Sequence, residues 1–264
     1  MSLPSDLLHL ATEIAREAGE LAFRRRREGV TIAATKSALA DIVTEADREV
    51  ETLIRARLAA ARPDDGFFGE ESGAGSGTSG ITWVVDPIDG TVNYAYGIPA
   101  WAISIAAVEG EPDPATWSAL AGVVYNPVSD ELFRATRGGG AWLGDHRLQV
   151  NDEVGPAGGL IGTGFGYDPA THAAALEQLS RVMTISRDLR RIGAASLDIA
   201  FVAAGRLDGY YERGLQPWDH AAAVLLVTEA GGIAGGAPGG VPGREMTIVA
   251  GARLYAKLDE VIDY

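Results

Sequence analysis

The chain contains no cysteine among its 264 residues. Disulfides, thiolate nucleophiles and cysteine-based metal sites are therefore excluded. Aromatic residues make up only 7% of the sequence, and the four histidines (His9, His146, His172 and His220) have no partners at metal-ligand spacing. Long apolar runs are missing as well. No stretch approaches the roughly 20 residues of a membrane span, and Met1 to Ala22 carries charges throughout, unlike a secretory leader. Positive charge is scarce: 22 Lys and Arg stand against 36 Asp and Glu, for a formal net charge of −14. Nucleic acid and anionic membranes would repel such a chain, so neither is an expected partner, and the cytoplasm is the expected location. A small anionic substrate would be repelled too, unless bound cations reverse the local field.

The length suffices for one large domain with a substantial core. Apolar periodicity predicts an amphipathic helix over Asp6 to Arg26 and a second from Thr44 to about Ala61, with Pro63 just beyond it. Short apolar runs at Ile81 to Val85, Ala102 to Val108, Leu120 to Tyr125, Glu131 to Ala135 and Ala141 to Leu143 are separated by turn residues. They read as neighbouring, largely antiparallel strands. Gly73 to Gly80 and Gly235 to Gly243 read as loops. After about Val150 the pattern alternates strand and helix, as an α/β layer does. A single domain is expected, with an N-terminal α+β half over about residues 1–150 and a C-terminal α/β half over about 151–264.

Four acidic motifs carry candidate chemistry. In Trp83-Val84-Val85-Asp86-Pro87-Ile88-Asp89-Gly90-Thr91, an apolar strand delivers two carboxylates into a turn shaped by Pro and Gly. Carboxylates and carbonyls are the ligands hard cations prefer, and the turn lets Asp86, Asp89 and the Ile88 carbonyl face one cavity. Gly90 and Thr91 would open a helical turn whose N–H groups can hold phosphate. The same residues also suit a plain Asp-rich turn. Glu70, in Gly69-Glu70-Glu71-Ser72, follows the aromatic pair Phe67-Phe68 and reads either as a carboxylate at the mouth of a strand or as part of a solvated acidic loop. Thr44 can cap a helix, with Asp47 completing a capping box; alternatively Asp47 faces inward and orients a hydroxyl. Asp219, in Pro217-Trp218-Asp219-His220, reads as a helix cap or as a metal ligand. His220 is expected to pack or to face solvent.

In this order and spacing, the motifs resemble the inositol monophosphatase family. Gly90-Thr91-Val92-Asn93-Tyr94, Tyr125-Asn126-Pro127, Arg191-Ile192-Gly193-Ala194-Ala195-Ser196-Leu197-Asp198, Tyr210-Tyr211-Glu212 and Thr228-Glu229-Ala230-Gly231-Gly232 extend the likeness over roughly Ile14 to Ala250. The resemblance implies an α/β fold of the layered αβαβα sandwich type and hydrolysis of a small phosphorylated polyol, inositol monophosphate first. It implies two to three Mg²⁺ ions, replaceable by Mn²⁺ and antagonised by Ca²⁺ or Li⁺. Glu70, Asp86, Asp89, Asp219 and the Ile88 carbonyl would hold them. Asp47 and Thr91, assisted by Glu70, would be catalytic. Asp89, Gly90, Thr91, Gly193, Ala194, Ala195, Glu212 and Asp219 would contact substrate, and Lys36 would neutralise its phosphate. A homodimer is also implied. His220, Ala194 and Ser196 depart from the family pattern. Relatives act on fructose 1,6-bisphosphate, histidinol phosphate, 3′-phosphoadenosine 5′-phosphate or NADP, and one bacterial relative is a regulatory partner of the transcription machinery. Those readings stand as alternatives.

Overall fold

Leu7, Ala11, Ile14, Ala18 and Leu21 recur at helical spacing and bury one face of the first helix, α1 (Leu3–Glu28). Its last turn carries Arg25, Arg26 and Arg27, where cations suit the helix dipole. Arg25 also ties α1 to the next helix, because its guanidinium donates to both oxygens of Glu49 at 2.6 Å. The computed structural model describes residues 3–30, 32–35 and 42–264. Two short strands, β1 (Ile32–Thr35) and β2 (Ile42–Thr44), pair antiparallel ahead of α2 (Glu45–Ala61).

The strands β3 (Gly66–Gly69), β4 (Gly73–Gly75), β5 (Ile81–Asp89), β6 (Ala102–Glu109), β7 (Ser118–Asn126), β8 (Glu131–Thr136), β9 (Gly140–Leu143) and β10 (His146–Arg147) form one sheet, with the short helix α3 (Thr91–Tyr96) between β5 and β6. Its order is β10-β9-β8-β7-β6-β5-β3-β4. From β5 to β10 it is the antiparallel meander the sequence predicts, while β3 runs parallel to β5. The second sheet has the order β12-β11-β13-β15-β14 and comprises β11 (Gly159–Thr163), β12 (Ser186–Arg190), β13 (Gly209–Glu212), β14 (Ile233–Gly235) and β15 (Thr247–Ala250). The helices α4 (His172–Val182), α5 (Ala195–Ala203), α6 (Pro217–Glu229) and α7 (Ala252–Val261) complete the described elements.

These elements stack as five layers, the αβαβα arrangement expected from the sequence. Helices α1 and α2 pack on the outer face of the large sheet around Ile54, Trp83, Ile103 and Val123. Helices α5 and α6 lie between the sheets, in a core shared by Val84, Phe133, Leu197, Leu226 and Val249. Helices α4 and α7 close the far side through Val182, Leu254 and Leu258. A helix covered on both sides has no polar face to offer, so α5 and α6 are apolar nearly all round. Two segments read as loops prove partly extended: Gly73–Gly75 is β4 and Gly235 ends β14.

Small residues let α6 approach the large sheet closely. A Cβ added at Gly122 of β7 would lie 2.9 Å from the carbonyl oxygen of Ala222 and 3.0 Å from its Cα. Backbone on both sides cannot yield as a side chain can. Gly122→Ala is therefore expected to cost about 1–3 kcal/mol by overpacking. Thermal denaturation would measure the loss, and wild-type stability in that variant would contradict the close approach.

Candidate active site

The central strand β5 is buried along its whole length, and its C-terminal end supplies two carboxylates. Asp86 pairs with Ser104 of β6, and Asp89 pairs with Ala102. Two residues, Pro87 and Ile88, thus oppose the single Ile103, which makes a bulge. Pro87 has no N–H for the ladder, so a break there is physically expected. Residues three apart on a regular strand point to opposite faces. The extra residue reverses that parity, and both Asp86 and Asp89 line the same cleft.

Glu70 arrives from the neighbouring strand. Gly69 of β3 pairs with Val85, and the Glu70 N–H donates to the Val85 carbonyl at 3.2 Å, which sets Glu70 beside Asp86. The two carboxyls hydrogen-bond to each other. Asp219 comes from α6, three residues past Gln216, whose N–H donates to its Oδ2 at 2.7 Å. Phe68 and Trp218 meet edge to face at 5.2 Å beneath these groups and hold β3 against α6. Asp89 accepts hydrogen bonds from the backbone N–H of Ala195 at 3.1 Å and of Ser196 at 2.7 Å, and from the Ser196 hydroxyl at 2.5 Å. Glu70, Asp86, Ile88, Asp89, Gly90, Thr91 and Asp219 share a cleft of about 730 Å³ with Gly193, Ala194, Ala195 and Glu212.

Asp47 sits just behind this wall. Its Oδ2 accepts from the N–H and hydroxyl of Thr44, the capping box that the sequence suggests. Its Oδ1 accepts from the Thr91 hydroxyl at 3.2 Å, and that hydroxyl also reaches the Ile88 carbonyl at 3.1 Å. The structural and the functional readings of Asp47 thus both hold geometrically, one on each oxygen. Gly90 takes the left-handed conformation, φ 89°, and a Cβ there would crowd the Ala194 side chain and the carbonyls of Ala100 and Gly193. Asn93 joins the same walls, donating from its amide to Ala100 O at 2.7 Å and to Ile192 O at 2.9 Å.

At the opposite wall of the cleft, the Tyr210 hydroxyl donates to Glu212. Gly164 presses so closely on the Glu212 carboxylate that a side chain there would displace it. Asp198 lies fully buried beside Glu212 and Asp89, and its Oδ1 has no hydrogen-bond partner among the described residues. Sequence reasoning missed the supporting roles of Ser196, Asp198 and Gly164, which depend on residues distant in the chain. For Tyr210 the signal was there, because residues two apart on a strand share a face and Tyr210 stands two before Glu212. His220 packs in the core against Trp117, where burial lowers its pKa to about 4 and keeps the ring neutral. Lys36 and Asp41 lie outside the described residues.

Electrostatics explain what such a site requires. Burial, then repulsion from Glu70, Asp89 and Asp219, drives the Asp86 pKa well up. Burial and then Asp89 and Glu70 do the same to Asp219. Burial raises Asp89 also, opposed by its bonds from Ser196 and Ala195. Among the described residues, no three of these groups already close around one point as metal ligands. Each is turned instead onto a protein donor or onto a neighbouring carboxyl. The donor set is nonetheless all oxygen and acidic, the chemistry of a hard divalent cation, and a cation would remove the repulsion. Glu70 and Asp86 need only exchange their mutual hydrogen bond for it.

The chain matches the model of the inositol monophosphatase family over residues 3–262. It is 43% identical over 231 residues to an inositol-1-monophosphatase of Rhizobium meliloti, covering 86% of this chain and 84% of that one. It is 42% identical to a Nus factor SuhB of Pseudomonas aeruginosa, again over 86% and 84% of the two chains. The crystal structure of the extragenic suppressor protein suhB from Bartonella henselae superposes with a TM-score of 0.88 at 36% identity, covering 97% of this chain and 98% of that chain.

Buried carboxyls make stability depend on pH. Burial raises Asp47 from 3.8 to about 6, Glu212 from 4.5 to about 7 and Asp198 from 3.8 to about 9. The folded state therefore holds protons that the unfolded chain has already released, so stability falls as pH rises through this window. In the presence of a chelator, the thermal midpoint is expected to drop progressively between pH 5 and pH 9. A midpoint that stays flat or climbs would contradict this burial.

Proposed function

Because the chain belongs to the inositol monophosphatase family, we propose that it is a Mg²⁺-dependent phosphomonoesterase that hydrolyses inositol monophosphate to inositol and phosphate. The observation that carries this reading is the convergence of Glu70, Asp86, Asp89 and Asp219 with the Asp47–Thr91 pair on one cleft. Glu70, Asp86, Asp89, Asp219 and the Ile88 carbonyl would hold Mg²⁺, which supplies positive charge for the phosphate and acidifies water.

The chain's own groups do the rest. The Thr91 hydroxyl orients the attacking water, and Asp47, already hydrogen-bonded to that hydroxyl at 3.2 Å, takes the proton. Both bonds from Thr44 fall on Oδ2 of Asp47, so that Oδ1 keeps facing Thr91. Glu70 assists from the neighbouring strand. The N–H groups of Gly90 and Thr91, at the cleft wall, suit phosphoryl oxygens. Asp89, Glu212 and Asp219 accept hydrogen bonds from the polyol, a role for which paired carboxylate oxygens suit vicinal hydroxyls. Gly193, Ala194 and Ala195 leave room for the ring.

A second reading has one observation behind it: a relative of 42% identity is named a Nus factor rather than a phosphatase. The complete set of acidic residues favours catalysis, with any further role alongside it.

A steady-state panel decides the substrate. With Mg²⁺, inositol 1-phosphate is expected to give a higher kcat/KM than fructose 1,6-bisphosphate, histidinol phosphate, 3′-phosphoadenosine 5′-phosphate or NADP. No preference for it would sink the substrate assignment. Asp89→Asn is expected to abolish turnover with little loss of folding.

Asp47→Asn and Thr91→Ala should each lower kcat by roughly 10²–10⁴-fold, as expected for lost proton transfer. Since the two groups act as a unit, the double variant should be scarcely worse than either single one. Fully multiplicative losses would separate the pair.

A further inference from the structure

Glu70 stands on a weak piece of chain. It opens the turn between β3 and β4, strands of four and three residues at the edge of the large sheet. A hairpin that short does not hold its own shape. Yet three successive backbone N–H groups of this turn are all satisfied. Glu70 N–H donates to Val85 O at 3.2 Å. Glu71 N–H donates to Oε2 of Glu51 at 2.8 Å, and Ser72 N–H donates to Oε1 of Glu51 at 2.8 Å. Glu51 is itself buried, only 3% exposed. Its carboxylate lies so close over Gly69 that a Cβ there would collide with it, so glycine is needed for the approach.

Glu51 follows Asp47 by four residues on α2, so the two side chains share one face of the helix. One turn of α2 therefore fixes both halves of the site: Asp47 holds the Thr91 hydroxyl, and Glu51 holds the backbone that carries Glu70. We propose that Glu51 is a positioning residue, which sets the Glu70 turn so that Glu70 meets Asp86 as a cation ligand. This rests on the function proposed above.

Glu51→Gln keeps the shape but leaves one acceptor oxygen and sets an NH₂ group against an N–H donor. Losing a hydrogen bond to a charged group is expected to weaken Mn²⁺ uptake about tenfold or more in calorimetry without substrate. The Mg²⁺ concentration for half-maximal rate should rise in parallel, while KM for the phosphate ester at saturating Mg²⁺ stays within about twofold. In the metal-free protein, hydrogen exchange at the Glu71 and Ser72 amides should speed up. Ile54→Val, a cavity in the same helix, serves as the comparison: it should lower the thermal midpoint yet bind Mn²⁺ as the wild type does. Should the Gln variant not fold, Glu51→Asp, which keeps both acceptors but shortens their reach, is expected to move the same readouts in the same direction. Wild-type Mn²⁺ affinity in the Glu51 variants, or an equal shift in Ile54→Val, would overturn the proposal. Failure of the wild-type chain itself to take up Mn²⁺ would instead overturn the proposed function, and this inference with it.

Discussion

The governing constraint is the burial of several carboxyl groups around one cleft in a chain that is already acidic. Two like charges about 4 Å apart repel by roughly 4 kcal/mol even at an effective dielectric of 20. Burial raises Asp86, Asp89 and Asp219 above the ordinary aspartate range, and repulsion between carboxylates adds to it at Asp86 and Asp219. The fold compensates by directing backbone donors at them. Asp47 stands in the first turn of α2, Asp219 in the first turn of α6, and Asp89 accepts the first N–H groups of α5. Three helix N-termini thus face the cluster, each bringing backbone N–H donors and the positive end of its dipole. That arrangement lets the layers assemble around an anionic centre and leaves a residual demand for positive charge, which a divalent cation would meet.

The same arrangement explains why local sequence signals were ambiguous. An aspartate in the first turn of a helix is a cap and, here, also a wall of the cleft. The Thr44–Asp47 spacing supports both readings because the two carboxylate oxygens have different partners, one pointing back to the cap and one across to Thr91. Asp219 likewise accepts from the N–H of its cap residue, Gln216, while lining the cleft. The motif order was legible, and with it the αβαβα layering and the grouping of Glu70, Asp86, Asp89, Glu212 and Asp219 about one cleft.

What remained illegible depends on contacts made only in the folded chain. Ser196 became significant through Asp89, 107 positions away, and Glu51 through amides 20 and 21 residues on. Neither stands in a pattern that spacing alone would flag. His220 was expected to pack or to face solvent, and which of the two was decided only by the fold: α6 is enclosed between two sheets, and the ring is buried beside Trp117. Short Gly-rich strands such as β4 and β14 escaped because glycine signals turns and because pairing, not propensity, makes them extended.

The bulge in β5 ties these levels together. With the strand's alternation undisturbed, the spacing of Asp86 and Asp89 would have put one carboxylate on each face of the sheet, toward different cores. Pro87 cannot donate to the ladder, and the extra residue it accompanies turns Asp89 back to the side of Asp86. The Ile88 carbonyl then accepts the Thr91 hydroxyl, and Gly90, in its left-handed conformation, starts α3 under the Ala194 wall. A single break in sheet pairing thereby sets the carboxylate pair and the hydroxyl on one wall of the cleft. The local rule of strand regularity fails where two acidic groups come to share one face.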